Sequence, residues 1–267
     1  MRPDDLHDST GDRAHSATHP TKRAGRINDE TMSLLDSPAG YGPRMMPPRA
    51  FFAVLAVAGL SGAMLVSCSD STALTSCQSV QHIGDSLTAG MMSPNQIPDP
   101  NNMLDAQYRG VGVADVRVDG AAGRTIHEVT SGQTPGVQVA AAARAAGYTG
   151  CWVIELGTND TALIVEGSPV GAQQRIDEMM AVIGTEPVMW VSTVTETQEG
   201  SYASDNMKIW NSELLDSQAR YPNMRLYNWT SASKPEWFAP DGIHYTPEGF
   251  TELARRIPDA LAAKLPK

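Results

Sequence analysis

Residues 137–160, VQVAAAARAAGYTGCWVIELGTND, decide how the chain is built. The Ala-rich run from Val137 to Ala146 reads as a helix stopped by Gly147. Cys151 to Leu156 then reads as a strand, and Gly157-Thr158-Asn159-Asp160 follows at once. A strand this apolar on consecutive residues expects cover on both faces, which is the habit of parallel sheets.

The same alternation extends in both directions. Val80 to Ile83, Val113 to Val118, Val188 to Val194 and Met224 to Tyr227 read as four further strands. Asn101 to Arg109 reads as the end of a helical stretch after a Pro-rich loop. Gly171 to Ile183 reads as a helix with Ile176, Met179, Met180 and Ile183 on one side, and Asp205 to Arg220 as another with Met207, Trp210 and Leu214 inward. A last helix runs from the N-cap Thr246, with Pro247 at its first position, to about Lys264. Strands alternating with helices predict an α/β protein: a three-layer α/β/α sandwich with a mostly parallel five-stranded sheet in flavodoxin-like order. No internal repeat of solenoid or propeller period occurs.

Upstream, Phe51 to Val66 is an apolar run preceded by Arg44 and Arg49 and closed by Leu65-Val66-Ser67-Cys68. The run is short for a membrane span, and flanking arginines hold its start on the cytoplasmic side. It resembles a bacterial lipoprotein signal with its lipobox, which implies that Cys68 is the acylated first residue of an exported protein anchored in the cell membrane and facing the envelope. Signal peptides run about 15–30 residues, so Met45 or Met46 is a better start than Met1. The chain then divides into a polar leader at 1–44, disordered or untranslated, a signal peptide at 45–67, a Ser/Thr-rich tether at 68–76, and one domain at 77–267. The alternative is an uncleaved signal-anchor helix with a cytoplasmic tail.

Residues 1–67 carry seven basic and seven acidic side chains, so the net charge of −10 belongs entirely to the rest. An acidic domain is a poor partner for nucleic acid or an anionic lipid surface. With Cys68 assigned to the lipobox, Cys77 and Cys151 remain as an even pair, and export favours a disulfide between them over two separate thiols. They stand nine residues before Ser86 and eight before Asn159, so adjacent parallel first and third strands would bring them together. No zinc spacing is present: His127-Glu128 lacks the second histidine of H-E-x-x-H. Gly110-Val111-Gly112 lacks the third glycine of a dinucleotide loop and precedes a strand, so neither a metal nor another cofactor is expected.

Three short segments stand where strands give way to loops, the place where α/β sheets gather their chemistry: Gly84-Asp85-Ser86-Leu87, Gly157-Thr158-Asn159-Asp160 and Asp241-Gly242-Ile243-His244. Together with Gly123 they resemble the blocks of the SGNH, or GDSL, hydrolase family over essentially the whole domain. The resemblance implies a nucleophile at Ser86, a base at His244 oriented by Asp241, and an oxyanion hole made by the Ser86 amide, the Gly123 amide and the Asn159 side chain. The G-x-S-x-G elbow of α/β-hydrolases is missing.

The residues themselves agree, because a serine hydroxyl needs an adjacent base to become a nucleophile. Among the histidines of the domain, His82 lies inside the first strand and reads as a packed residue, while His127 follows the Gly123 loop and can reach the rim. His244 is favoured because Asp241 precedes it on the same turn and can hold its Nδ1 proton. Gly120 rivals Gly123 as the glycine whose backbone approaches substrate. Trp229 and Trp237 wall an acyl or sugar pocket or pack on the last helix. Met91, Met92 and the Pro-rich stretch to Pro100 read as an irregular surface loop rather than a lid.

The expected activity is hydrolysis of carboxylic esters through an acyl-enzyme. The segment from Asn228 to Asp241 also resembles SGNH domains attached to membrane O-acyltransferases of cell-wall polysaccharides, which implies an acylated envelope glycan or lipid as substrate. Acyl transfer to envelope polysaccharide and a non-catalytic carbohydrate-binding lipoprotein are the alternatives.

Overall fold

The computed structural model describes residues 74–267. The leader, the signal peptide and the lipidation expected at Cys68 fall outside the described residues. Among the described residues, no helix is long and apolar enough to cross a membrane.

Five parallel strands form one sheet: β1 (Ser79–Gly84), β2 (Asp115–Gly120), β3 (Cys151–Glu155), β4 (Val188–Val191) and β5 (Met224–Tyr227), ordered β2-β1-β3-β4-β5. This is the flavodoxin-like order expected, and every neighbouring pair is parallel. Residues of β3 alternate between two cores, Val153 on one face and Trp152 and Ile154 on the other. The first face is covered by α1 (Ser86–Met91), α2 (Leu104–Gly110) and α7 (Pro247–Lys264) through Leu87, Met91, Leu104, Tyr108, Phe250 and Leu253. The second is covered by α3 (Gly136–Ala145), α5 (Ala172–Ile183) and α6 (Ser204–Arg220) through Ala140, Ile176, Met179, Trp210 and Leu214. A further helix, α4 (Thr158–Val165), follows β3 directly.

Several boundaries differ from expectation. The fourth strand ends at Val191, because the backbone N–H of Thr193 turns to the Asn211 side chain of α6 at 2.9 Å instead of extending the ladder. α2 begins only at Leu104, after a 3-10 turn at Pro100–Asn102. Met91 is fully buried within α1, not part of a surface loop. Thr246 caps α7 as read, its hydroxyl accepting from the Gly249 N–H at 3.2 Å.

Cys77 and Cys151 form a disulfide with Cα atoms 5.7 Å apart, tying the start of β1 to the start of β3. Residues ahead of Cys77 already pack on the domain: the Leu74 N–H donates to Val111 O at 3.0 Å and the Thr75 hydroxyl to Leu265 O at 2.8 Å. Both contacts lie at the end of the sheet where the strands start. The motif segments lie at the other end.

Candidate active site

β1 and β3 are the neighbours at which the strand order reverses, and in open α/β sheets ligands bind in the crevice beyond the carboxyl ends of such strands. Asp85 leaves β1 and caps α1, its carboxyl group accepting from the Leu87 N–H at 2.9 Å, so Ser86 becomes the first helical residue and is half-buried. The tight β1–α1 junction depends on Gly84 and Gly120. A Cβ on Gly84 would fall 1.8 Å from Thr88 Oγ1, and one on Gly120 would fall 2.6 Å from the Ala89 amide nitrogen. Gly120 is therefore a packing residue that lets α1 approach β2.

His244 arrives from the far end of the chain. Its loop is a narrow hairpin in which Phe238 bridges Tyr245, the Ala239 N–H donates to His244 O at 2.8 Å, and the Thr246 N–H donates to Trp237 O at 2.8 Å. Beneath it Trp237 stacks on Trp229 at 5.8 Å, and the Trp229 indole N–H donates to the Tyr245 hydroxyl at 2.7 Å. Both tryptophans are buried; of the two readings, packing near the last helix is the one observed.

The hairpin places His244 Nε2 2.9 Å from Ser86 Oγ and His244 Nδ1 2.7 Å from Asp241 Oδ2. The other Asp241 oxygen accepts from the Ile243 and His244 amides, both at 2.9 Å. Partial burial works against the charge on Asp241, but the His244 bond and these two amides outweigh it and hold the carboxyl below its usual range. The result is a hydroxyl, an imidazole and an ionised carboxylate in series, the connectivity that lets a serine lose its proton as it attacks. The histidine and the aspartate are each close to half exposed, at 42% and 49% of their side chains.

Gly123 stands at φ +76°, a left-handed turn conformation that suits glycine, in a turn closed by the Arg124 N–H on Ala121 O at 3.1 Å. The turn is pinned beside β1 by the Ala121 N–H on Gly84 O at 3.3 Å. Arg124 reinforces this: its guanidinium, almost fully buried, donates to Gly84 O, Asp119 O, the Asp119 carboxylate and Thr134 O. Among the described residues the Ser86 and Gly123 amides have no acceptor, so both remain available as donors. Asn159, at the start of α4, directs Nδ2 at Asp85 Oδ2 (3.1 Å) and Arg124 O (3.2 Å), while its Oδ1 accepts from the Tyr202 hydroxyl at 3.0 Å.

The other two histidines are engaged elsewhere. His82 is fully buried, between the Tyr108 hydroxyl at 2.9 Å and the Thr88 hydroxyl at 3.0 Å, and burial lowers its pKa to about 3, so it stays neutral. His127 pairs with Glu178 of α5 at 2.6 Å rather than with Ser86.

Next to the site lie buried charged groups that no local pattern in the sequence announces. Asp85 and Glu155, both buried, have their carboxyl pKa values raised, Asp85 by burial and then by the Glu155 charge, and Glu155 by burial against the Thr88 hydrogen bond. Arg175, wholly buried on α5, binds Asp160 at 2.8 Å and also Glu128, which clamps the 126–128 segment to the start of α4.

Residues 82–251 match the model of the GDSL-like lipase/acylhydrolase family, a span that contains Ser86, Gly123, Asn159, Asp241 and His244. The chain belongs to this family. Its members are ester hydrolases of the SGNH type, and this protein is one. No curated protein matches the sequence. Solved structures share the fold at low identity. A carbohydrate acetylesterase from Sinorhizobium meliloti is 19% identical with a TM-score of 0.55, covering 70% of this chain and 99% of its own. A lipase/acylhydrolase from Enterococcus faecalis is 19% identical with a TM-score of 0.56, over 71% and 98%. The catalytic domain of the peptidoglycan O-acetyltransferase OatA from Streptococcus pneumoniae is 14% identical with a TM-score of 0.51, over 70% and 92%.

Proposed function

We propose that the protein cleaves small acyl groups from a bulky alcohol through an acyl-enzyme on Ser86. The observation that carries this reading is the Ser86–His244–Asp241 series at 2.9 and 2.7 Å, beside two unpaired backbone donors. His244 takes the Ser86 proton as Oγ attacks the ester carbonyl, and returns it to the departing alcohol; water then repeats the sequence on the acyl-enzyme. Asp241 holds the imidazole in the required tautomer and stabilises its charged form.

The oxyanion is taken by the Ser86 and Gly123 amides and by Asn159 Nδ2. The Asn159 hydrogens rest on Asp85 and on the Arg124 carbonyl. Burial favours the neutral form of Asp85. A neutral carboxyl and a backbone carbonyl are weaker acceptors than a developing alkoxide, so one N–H transfers to the oxyanion as charge builds.

The half-exposed histidine and aspartate support a substrate whose alcohol is large and stays outside the crevice. The family, and likeness in fold to an acetylesterase of carbohydrates and to a peptidoglycan O-acetyltransferase domain, support an acetylated envelope glycan. A Cys68 lipid anchor would station the enzyme there. Water and a sugar hydroxyl can both deacylate the same intermediate, so transfer is the second reading.

The test is a graded series of p-nitrophenyl esters beside O-acetylated glycan, with products analysed in the presence and absence of an acceptor sugar. Preference for acetyl and release of free acetate support the proposal. Preference for long acyl chains would overturn the small-acyl assignment, and acetyl appearing on the acceptor would replace hydrolysis by transfer. Mass spectrometry of the native N-terminus tests the anchor: a diacylglyceryl Cys68 is expected, and an unmodified Cys68 inside a longer chain would favour the signal-anchor alternative.

A further inference from the structure

The β4–α6 loop, residues 192–203, touches both halves of the site. On one side the Glu196 N–H donates to Gly242 O at 2.7 Å, between Asp241 and His244. On the other the Tyr202 hydroxyl donates to Asn159 Oδ1 at 3.0 Å. The loop is braced so that these contacts come together. The Tyr202 carbonyl accepts from the Thr195 hydroxyl at 2.7 Å and from the Thr197 hydroxyl, and the Ser204 N–H donates to Thr197 O at 2.8 Å.

The orientation of the Asn159 carboxamide decides what it can donate. A carboxamide is nearly symmetric in shape, and rotation by half a turn exchanges a donor for an acceptor. With Nδ2 toward Asp85 and Arg124 O both of its hydrogens are engaged, and one of them can be yielded to an oxyanion. In the rotated state Oδ1 would face the Arg124 carbonyl, which has no proton to give, and Nδ2 would face the Tyr202 phenol.

We infer that Tyr202 is a positioning residue of the esterase: its hydroxyl holds the Asn159 carboxamide in the orientation that directs Nδ2 at the oxyanion. The inference rests on the oxyanion role proposed for Asn159. The phenol is suited to the task, since burial, and after it the charge of Glu166, raise its pKa and keep it a donor through the neutral range. The half-buried ring comes from a loop 43 residues from Asn159 and makes no other side-chain hydrogen bond through its hydroxyl among the described residues.

The experiment is a double-mutant cycle on the full chain with p-nitrophenyl acetate, reading kcat, KM and melting temperature for Tyr202→Phe, Asn159→Ala and the pair. Loss of one neutral hydrogen bond corresponds to roughly a fivefold effect. Tyr202→Phe is therefore expected to lower kcat about fivefold with KM and melting temperature unchanged, and to do so by less than about twofold once Asn159 is Ala. An unchanged kcat in Tyr202→Phe, a change in KM alone, or full additivity with Asn159→Ala would overturn the inference while leaving the oxyanion role intact. A normal kcat in Asn159→Ala would overturn the oxyanion role itself, and the inference with it.

Discussion

The Thr88 hydroxyl donates to the Glu155 carboxyl group, so the helix that begins with Ser86 is bonded to the end of the strand that leads to Asn159. His82 Nε2 meets the same hydroxyl at 3.0 Å and Tyr108 meets His82 Nδ1 at 2.9 Å, which makes a buried polar chain across the first core. Such a chain specifies position when every member is satisfied, and each of these side chains has a partner.

Glu155 makes that arrangement sensitive to pH. Burial raises its pKa from 4.5 to about 8, with the Thr88 bond working in the opposite direction. The folded state therefore keeps a proton that the unfolded chain has lost, and the stability this represents is full below pH 4.5 and lost as pH rises through about 8. Glu155→Gln should melt with a shallower decline than the parent between these limits. Parallel melting curves for the two proteins would show that Glu155 is ionised in the fold.

Arg175 is the second buried commitment. Removing it as Arg175→Met leaves Asp160, wholly inaccessible, without its guanidinium partner at 2.8 Å. Breaking a buried pair in this way typically costs about 3–5 kcal/mol, to be read by urea unfolding, and adding Asp160→Asn should recover part of the loss. A loss below about 1 kcal/mol, in the range of exposed pairs, would mean that the pair is solvated.

The Cys77–Cys151 disulfide joins residues 74 apart in sequence. Closing a loop of that size contributes on the order of 4 kcal/mol in the chain-entropy model. Alkylation of the denatured, unreduced protein should label neither cysteine, and Cys77→Ala with Cys151→Ala should lower the melting temperature. Labelling of both positions would refute the bridge.

Close packing of α1 supplies a contrast between two glycines. Gly120→Ala drives a methyl to 2.6 Å from the Ala89 backbone nitrogen, so α1 and Ser86 must shift, and both melting temperature and kcat should fall. Gly110→Ala meets nothing within 4 Å and should leave kcat unchanged. Equal behaviour of the two variants would argue against backbone contact as the reason for glycine at 120.

Much of this fold was legible because strands such as β3 and β4 are short apolar runs, and because helices between the strands leave only parallel pairing. The site blocks were legible for a related reason: Ser86, Asn159 and His244 each sit at the end of such a run or on a turn, where local spacing carries meaning. α1 and α4 were missed, being six and eight residues long and burying Thr88, Thr158 and Asp160 where an apolar stripe would be sought. The supports were illegible for the same physical reason. Glu155 and Thr88 are 67 residues apart, Tyr202 and Asn159 are 43 apart, and a polar residue satisfied by so distant a partner looks like a surface residue until the chain is folded. Met91 was misplaced because a proline-rich stretch follows it, although its side chain ends in the core.

Covalent trapping shows whether Ser86 is the nucleophile. Treatment with a sulfonyl fluoride, followed by peptide mass spectrometry, should find one sulfonyl group on Ser86 with complete loss of ester hydrolysis. The adduct should be absent from Ser86→Ala, and its formation slowed by orders of magnitude in His244→Ala, since residues that act as a unit fail together. A Ser86→Ala protein that still turns over ester at the parent rate, or a modified residue other than Ser86 in the inactivated enzyme, would contradict the account.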